Sequence, residues 1–130
     1  MYKYYNPNPT GRMVGDCSIR ALTKALNVDW DTAYAMTAIK AYEMKDMPSS
    51  NSVWGAVLSE HGFVRGGLPT QEECSCYYTA GDFCAEHPNG IYVLGFGTHV
   101  ATIVNGDLFD IYNSTGEIPQ YFWYRKEERV

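Results

Sequence analysis

Apolar residues between positions 16 and 27 recur at Ile19, Leu22 and Leu26, with Cys17, Ala21 and Ala25 beside them. That spacing is helical and predicts a first helix at roughly 16–27, with Asp16 placed to cap it. "WDTAYAMTAIKAYEM" predicts a second helix over roughly 30–44, behind Asp29 as cap. A third, over about 51–61, follows a Ser/Asn pair and stops at Gly62. "GDFCAEHPNG" predicts a short helix ended by Pro88. After Gly90 the period changes, and "IYVLGF", "HVATIV" and "LFDIYN" predict strands, with "YFWYRK" as a fourth. Asn105-Gly106 between two of them predicts a tight hairpin. Residues 1–15 are turn-rich, because Pro7, Pro9, Gly11 and Gly15 forbid a regular helix. Residues 63–80 carry no dominant period. Helices first and antiparallel strands after predict an α+β domain rather than alternating β and α units.

Composition narrows the class. A chain of 130 residues with 45% hydrophobic and 19% charged residues predicts one compact domain over 1–130. A net charge of −5 without a long basic stretch argues against nucleic acid as a partner. "MYKYYNPNPT" lacks the apolar run of a signal peptide, and no stretch approaches membrane-spanning length. The expected setting is therefore the cytoplasm of a bacterium or its host, without membrane contact. The four cysteines, Cys17, Cys74, Cys76 and Cys84, are then expected as reduced thiols rather than two disulfides.

One of those thiols stands where chemistry is favoured. Cys17 opens the first helix, where unpaired backbone N–H groups and the positive end of the helix dipole stabilise a thiolate. Its own N–H points to where an oxyanion would form. A thiolate nucleophile needs a base, and His99 opens "HVATIV" after the glycine-flanked "GFGT". If Asn105-Gly106 is a two-residue turn, Val104 pairs with Asp107 and Ala101 lies opposite Asp110, so Asp110 shares the face of His99. A three-residue loop would put Asn113 opposite His99 instead. Both remain candidates for orienting the imidazole, with Asp110 preferred on the turn chemistry. The competing reading of Cys17 is a small apolar residue on a buried stripe.

Other signals point to structure. Cys74, Cys76, Cys84 and His87 offer zinc donors, but C-x-C-x7-C-x2-H is not a familiar finger spacing. Buried thiols and a helix-end histidine are preferred, and His61 before Gly62 reads the same way. "GFG" lacks the third glycine and following helix of a phosphate loop. "YKYY" and "YFWY" are expected to cover the core or join the sheet, since no basic groove accompanies them.

The order of these residues resembles that of papain-like cysteine peptidases: Cys at the start of the first long helix, then His and Asp or Asn on later antiparallel strands. "NPNPTGRMVGDCSIRAL" and "GDFCAEHPNGIYVLGFGTHVATIVNGDLFD" are similar to small bacterial and phage-type members of that superfamily, over about residues 6–114. The resemblance implies N-terminal helices packed on a C-terminal antiparallel sheet. It implies Cys17 as nucleophile, His99 as general base and acid, and Asp110 as orienter. "YNS" at 112–114 keeps Asn113 as the alternative. Gly11 stands six residues before Cys17, where papain-type enzymes usually carry an oxyanion-donating Gln. Asn8, or Asn6, is the candidate replacement.

The implied activity is hydrolysis of an amide, peptide or isopeptide bond in a protein or peptide substrate, without a metal or organic cofactor. The same site on an acyltransferase or transglutaminase-like enzyme, or a non-catalytic phage or mobile-element binding protein, are the alternatives.

Overall fold

The structure is a computed structural model that describes residues 1–68 and 78–125. Helix α1 spans Cys17–Leu26, α2 Trp30–Met44, α3 Asn51–Glu60 and α4 Ala80–Glu86. Strands are β1 (Tyr2–Tyr4), β2 (Phe63–Gly67), β3 (Ile91–Gly95), β4 (Val100–Val104), β5 (Asp107–Asp110) and β6 (Tyr121–Arg125). The fold is α+β, and no helix among the described residues is long and apolar enough to cross a membrane.

Local chemistry sets the element ends. Asp29 accepts the Thr32 N–H at 2.7 Å and starts α2. Thr79 and Asp82 exchange hydrogen bonds as a capping box on α4. Asn27 and Lys45 end α1 and α2 in the left-handed conformation, with φ of 56° and 57°. Asp16 departs from expectation. It occupies the N-cap position of α1, yet its side chain makes no capping bond there.

The six strands form one sheet in the order β1-β5-β4-β3-β6-β2. The expectation of a purely antiparallel, C-terminal sheet is corrected on two counts. β1 joins the edge parallel to β5, pairing Tyr2 with Leu108 and Tyr4 with Asp110. β2, from the segment without a dominant period, forms the other edge against β6. "YKYY" thus enters the sheet, within a region whose prolines and glycines mask three extended residues. The ambiguous segment beyond residue 68 lies largely outside the described residues.

Alternation along the strands divides the core. Val93 and Val100 pack against α1 and α3 with Ile19, Leu22, Trp54 and Leu58. Leu94, Ala101 and Ile103 face the other way, onto Ala80, Phe83 and Cys84 of α4. Thr102, buried beneath α1, donates its hydroxyl to the Ala21 carbonyl at 2.8 Å. The start of α1 is thereby fixed over the N-terminal end of β4. There Gly95 of β3 lies under the Tyr121 ring, which a methyl group at that position would overlap.

Candidate active site

Cys17 is the first residue of α1, half-buried and free of any disulfide. His99, just before β4, lines the same cleft beside Cys17 and acts on the ionisation of its thiol. The Nε2 of His99 lies 2.6 Å from Oδ2 of Asp110, the last residue of β5. With Nε2 committed to the carboxylate, Nδ1 is the ring nitrogen left for the sulfur. The three side chains that sequence spacing singled out therefore stand together. The turn behind it has two residues: Val104 pairs with Asp107, and Asn105 and Gly106 carry φ of 49° and 82°.

Asp110 is fully buried and all its acceptor sites are used. Oδ2 also accepts the Ser114 hydroxyl at 2.8 Å. Oδ1 accepts the Ile111 N–H at 2.8 Å and Arg20 Nη2 at 3.2 Å. Arg20, itself 4% exposed, reaches back with Nη1 to Oδ1 of Asp16 at 2.9 Å. Asp16 Oδ2 takes the indole N–H of Trp30 at 2.9 Å. This explains the missing cap: the carboxylate of Asp16 serves the guanidinium one turn along instead. A buried cation between two carboxylates is tolerable because every charged group is paired and hydrogen-bonded.

These surroundings set the protonation states. Burial would raise the Cys17 thiol. The hydrogen bond and charge of His99, the Val100 N–H and the Arg20 charge outweigh burial and hold the thiol below its ordinary value. Burial would lower His99, but the Asp110 hydrogen bond and the contact with Cys17 lift it to about 9. Burial would raise Asp110, and the bonds from His99, Ser114 and the Ile111 N–H bring it below the usual carboxylate value. The arrangement shifts both groups toward a thiolate–imidazolium pair, lowering the thiol and raising the imidazole.

The pair opens into a cleft of about 480 Å³ between the Val14-Gly15 loop, the start of α3 and the Gly97-Thr98 turn. Asn51 and Trp54 form its far wall. The Asn51 Oδ1 accepts the Trp54 indole N–H at 3.0 Å. Neither residue was singled out from sequence.

Two candidates lie elsewhere. Asn8 turns its Oδ1 onto the N–H and hydroxyl of Thr10, at 2.9 and 2.8 Å, and does not line the cleft. Asn6 likewise donates to the carbonyls of Gly11 and Arg12. Asn113 is exposed and accepts from the Thr115 N–H at 3.1 Å, not from His99. The first turn of α1, which lines the cleft, carries backbone N–H groups without intrahelical partners.

Arg20, Ser114 and Trp30 were missed by the sequence reading. Arg20 stands among the residues 18–23 of α1 that the fold buries on every side, which the apolar stripe alone does not show. Cys84 is buried, and His87 stacks on Phe83 with centroids 3.8 Å apart. Cys74 and Cys76 lie outside the described residues. Among the described residues, no group of three or more His, Cys, Asp or Glu is arranged to hold a metal. No family model, curated protein or solved structure matches this chain.

Proposed function

We propose that this chain is a papain-like, thiol-dependent hydrolase of amide, peptide or isopeptide bonds, acting on a protein or peptide. The observation that carries the reading is Cys17 and His99 side by side at the wall of an open cleft, with His99 held at 2.6 Å by buried Asp110. The Cys17 thiolate attacks the carbonyl carbon, and the oxyanion that forms is met by N–H groups at the start of α1. The imidazolium of His99 gives its proton to the departing amine as the C–N bond breaks. His99, now neutral, takes a proton from water as the water oxygen attacks the thioester. The acid leaves, and the thiolate and imidazolium are restored. Asp110 holds the ring throughout, and Arg20 and Ser114 hold Asp110. A reducing compartment such as the cytoplasm suits a reaction that needs a free thiol.

Brief labelling with iodoacetamide at pH 7, followed by peptide mapping, tests the premise. Cys17 is expected to alkylate at least about tenfold faster than buried Cys84, and faster than Cys74 and Cys76, because the thiolate is the reactive form. Equal or slower labelling overturns the reading. Digestion of a peptide library then separates the products: hydrolysis adds water to the fragments, whereas transfer adds the acceptor amine. Fast labelling without product favours a binding protein on the same scaffold.

A further inference from the structure

The wall formed by Asn51 and Trp54 has a second side. A further depression of about 390 Å³ begins at these two residues and runs between α3 and the edge of the sheet. Its floor is aromatic, made by Trp54, Tyr121 and Trp123. Trp54 and Tyr121 stack with centroids 6.4 Å apart. Gly55 lets α3 settle onto the Trp123 indole, where a Cβ would stand 3.0 Å from the ring. Ser52 and Ser59 supply hydroxyls along the helix side. Tyr121 ties the trough to the site's own strand, since its ring packs over Gly95 at the end of β3, just before the Gly97-Thr98 turn of the cleft.

The trough also carries a cation. Arg65 of β2 lies with its guanidinium 4.4 Å from the centroid of the Tyr121 ring. It is exposed and forms no salt bridge among the described residues. A guanidinium stacked on an aromatic face keeps its in-plane N–H donors free for a carboxylate. In a molecule of net charge −5, a cation in an aromatic trough that shares its wall with the nucleophile is a local inversion of charge.

Resting on the thiol-hydrolase reading, we propose that this trough is a substrate subsite for an acidic side chain. The stem of a Glu or Asp near the scissile bond lies on Trp54, Tyr121 and Trp123, and its carboxylate meets Arg65. The substrate class is thereby narrowed to peptides with an acidic residue close to the cleaved amide.

Protection of Cys17 tests this without a known cleavage sequence. N-acetylated pentapeptide amides Ala-Ala-X-Ala-Ala, with X as Glu, Gln or Lys, are titrated against the rate of Cys17 alkylation by iodoacetamide at pH 7. The Glu peptide is expected to half-protect at a concentration about threefold below Gln and about tenfold below Lys, the scale of a rim ion pair. Arg65→Glu is expected to reverse the Glu and Lys order, and Arg65→Gln to level it, with folding of each variant checked by its thermal transition. Two failures read differently. Slow alkylation of Cys17 without any peptide removes the hydrolase reading and the subsite with it. Fast alkylation that all three peptides slow equally, or an order unchanged by Arg65→Glu, overturns the subsite alone.

Discussion

The carboxylate of Asp110 accepts four hydrogen bonds, from His99, Ser114, Arg20 and the Ile111 backbone, and solvent reaches none of it. A base held this firmly has one tautomer and one orientation. Asp110→Ala should therefore lower turnover of a cleaved peptide by at least about tenfold, a share of the roughly 10²–10⁴ that a placed general base supplies. Asn113→Ala should change it little, because that amide faces Thr115 on the surface. Both are measured on protein with a cooperative thermal transition, and the reverse ranking would move the orienting role to Asn113. At this scale the sequence was informative where local rules operate. Cys17 was visible from its helix position and Asp110 from strand parity and a turn dipeptide. Asp16 misled, because capping is a local preference and the ion pair with Arg20 and the Trp30 indole are tertiary contacts that override it.

The element that connects these residues is the β4–β5 hairpin. Its two turn residues both hold positive φ, which matches the twist of the strands and fixes the register. Gly106 is the more demanding position, since a Cβ there would also stand 3.4 Å from the Cys84 carbonyl oxygen. Gly106→Val should cost about 1–2 kcal/mol, the penalty of a left-handed backbone for a branched residue, read as a lowered urea midpoint. A shift within error would mean that the turn relaxes into another geometry. Helices α1 to α4 and strands β3 to β6 were legible because each repeats its period or carries its own stop signal. β1 was not. Three residues are too short to show alternation, and a parallel edge strand draws its stability from a partner more than a hundred positions away.

Across the whole molecule, the thiol and imidazole link protonation to stability. Folding raises His99 from 6.5 to about 9, so its contribution is complete below pH 6.5 and disappears as pH rises through about 9. Folding lowers Cys17 from 9.0, so its contribution is present above pH 9.0 and disappears as pH falls through the folded value. Between those limits the slopes have opposite signs and offset one another, since one group releases the proton that the other keeps. Cys17→Ala removes one slope. It should fold, as Ala suits a helix start, but its stability should fall more steeply than that of wild type as pH rises from about 6.5 to about 8.5, because Asp110 still raises His99 and no thiol offsets it. Urea midpoints at the two pH values measure this, and parallel behaviour of the two proteins would mean that the proton stays on sulfur.

The parallel pairing of β1 with β5 has a consequence for the chain while it is being made. Arg20 meets Asp110 across ninety positions, and the Tyr5 N–H closes on the Asp110 carbonyl only when β5 is present. On the ribosome, α1 emerges with its cysteine well before His99 and Asp110, which follow it by more than eighty positions. Until then Cys17 is an ordinary thiol on an incomplete sheet. The lowering of the thiol thus waits on the order in which the parts of the fold are delivered.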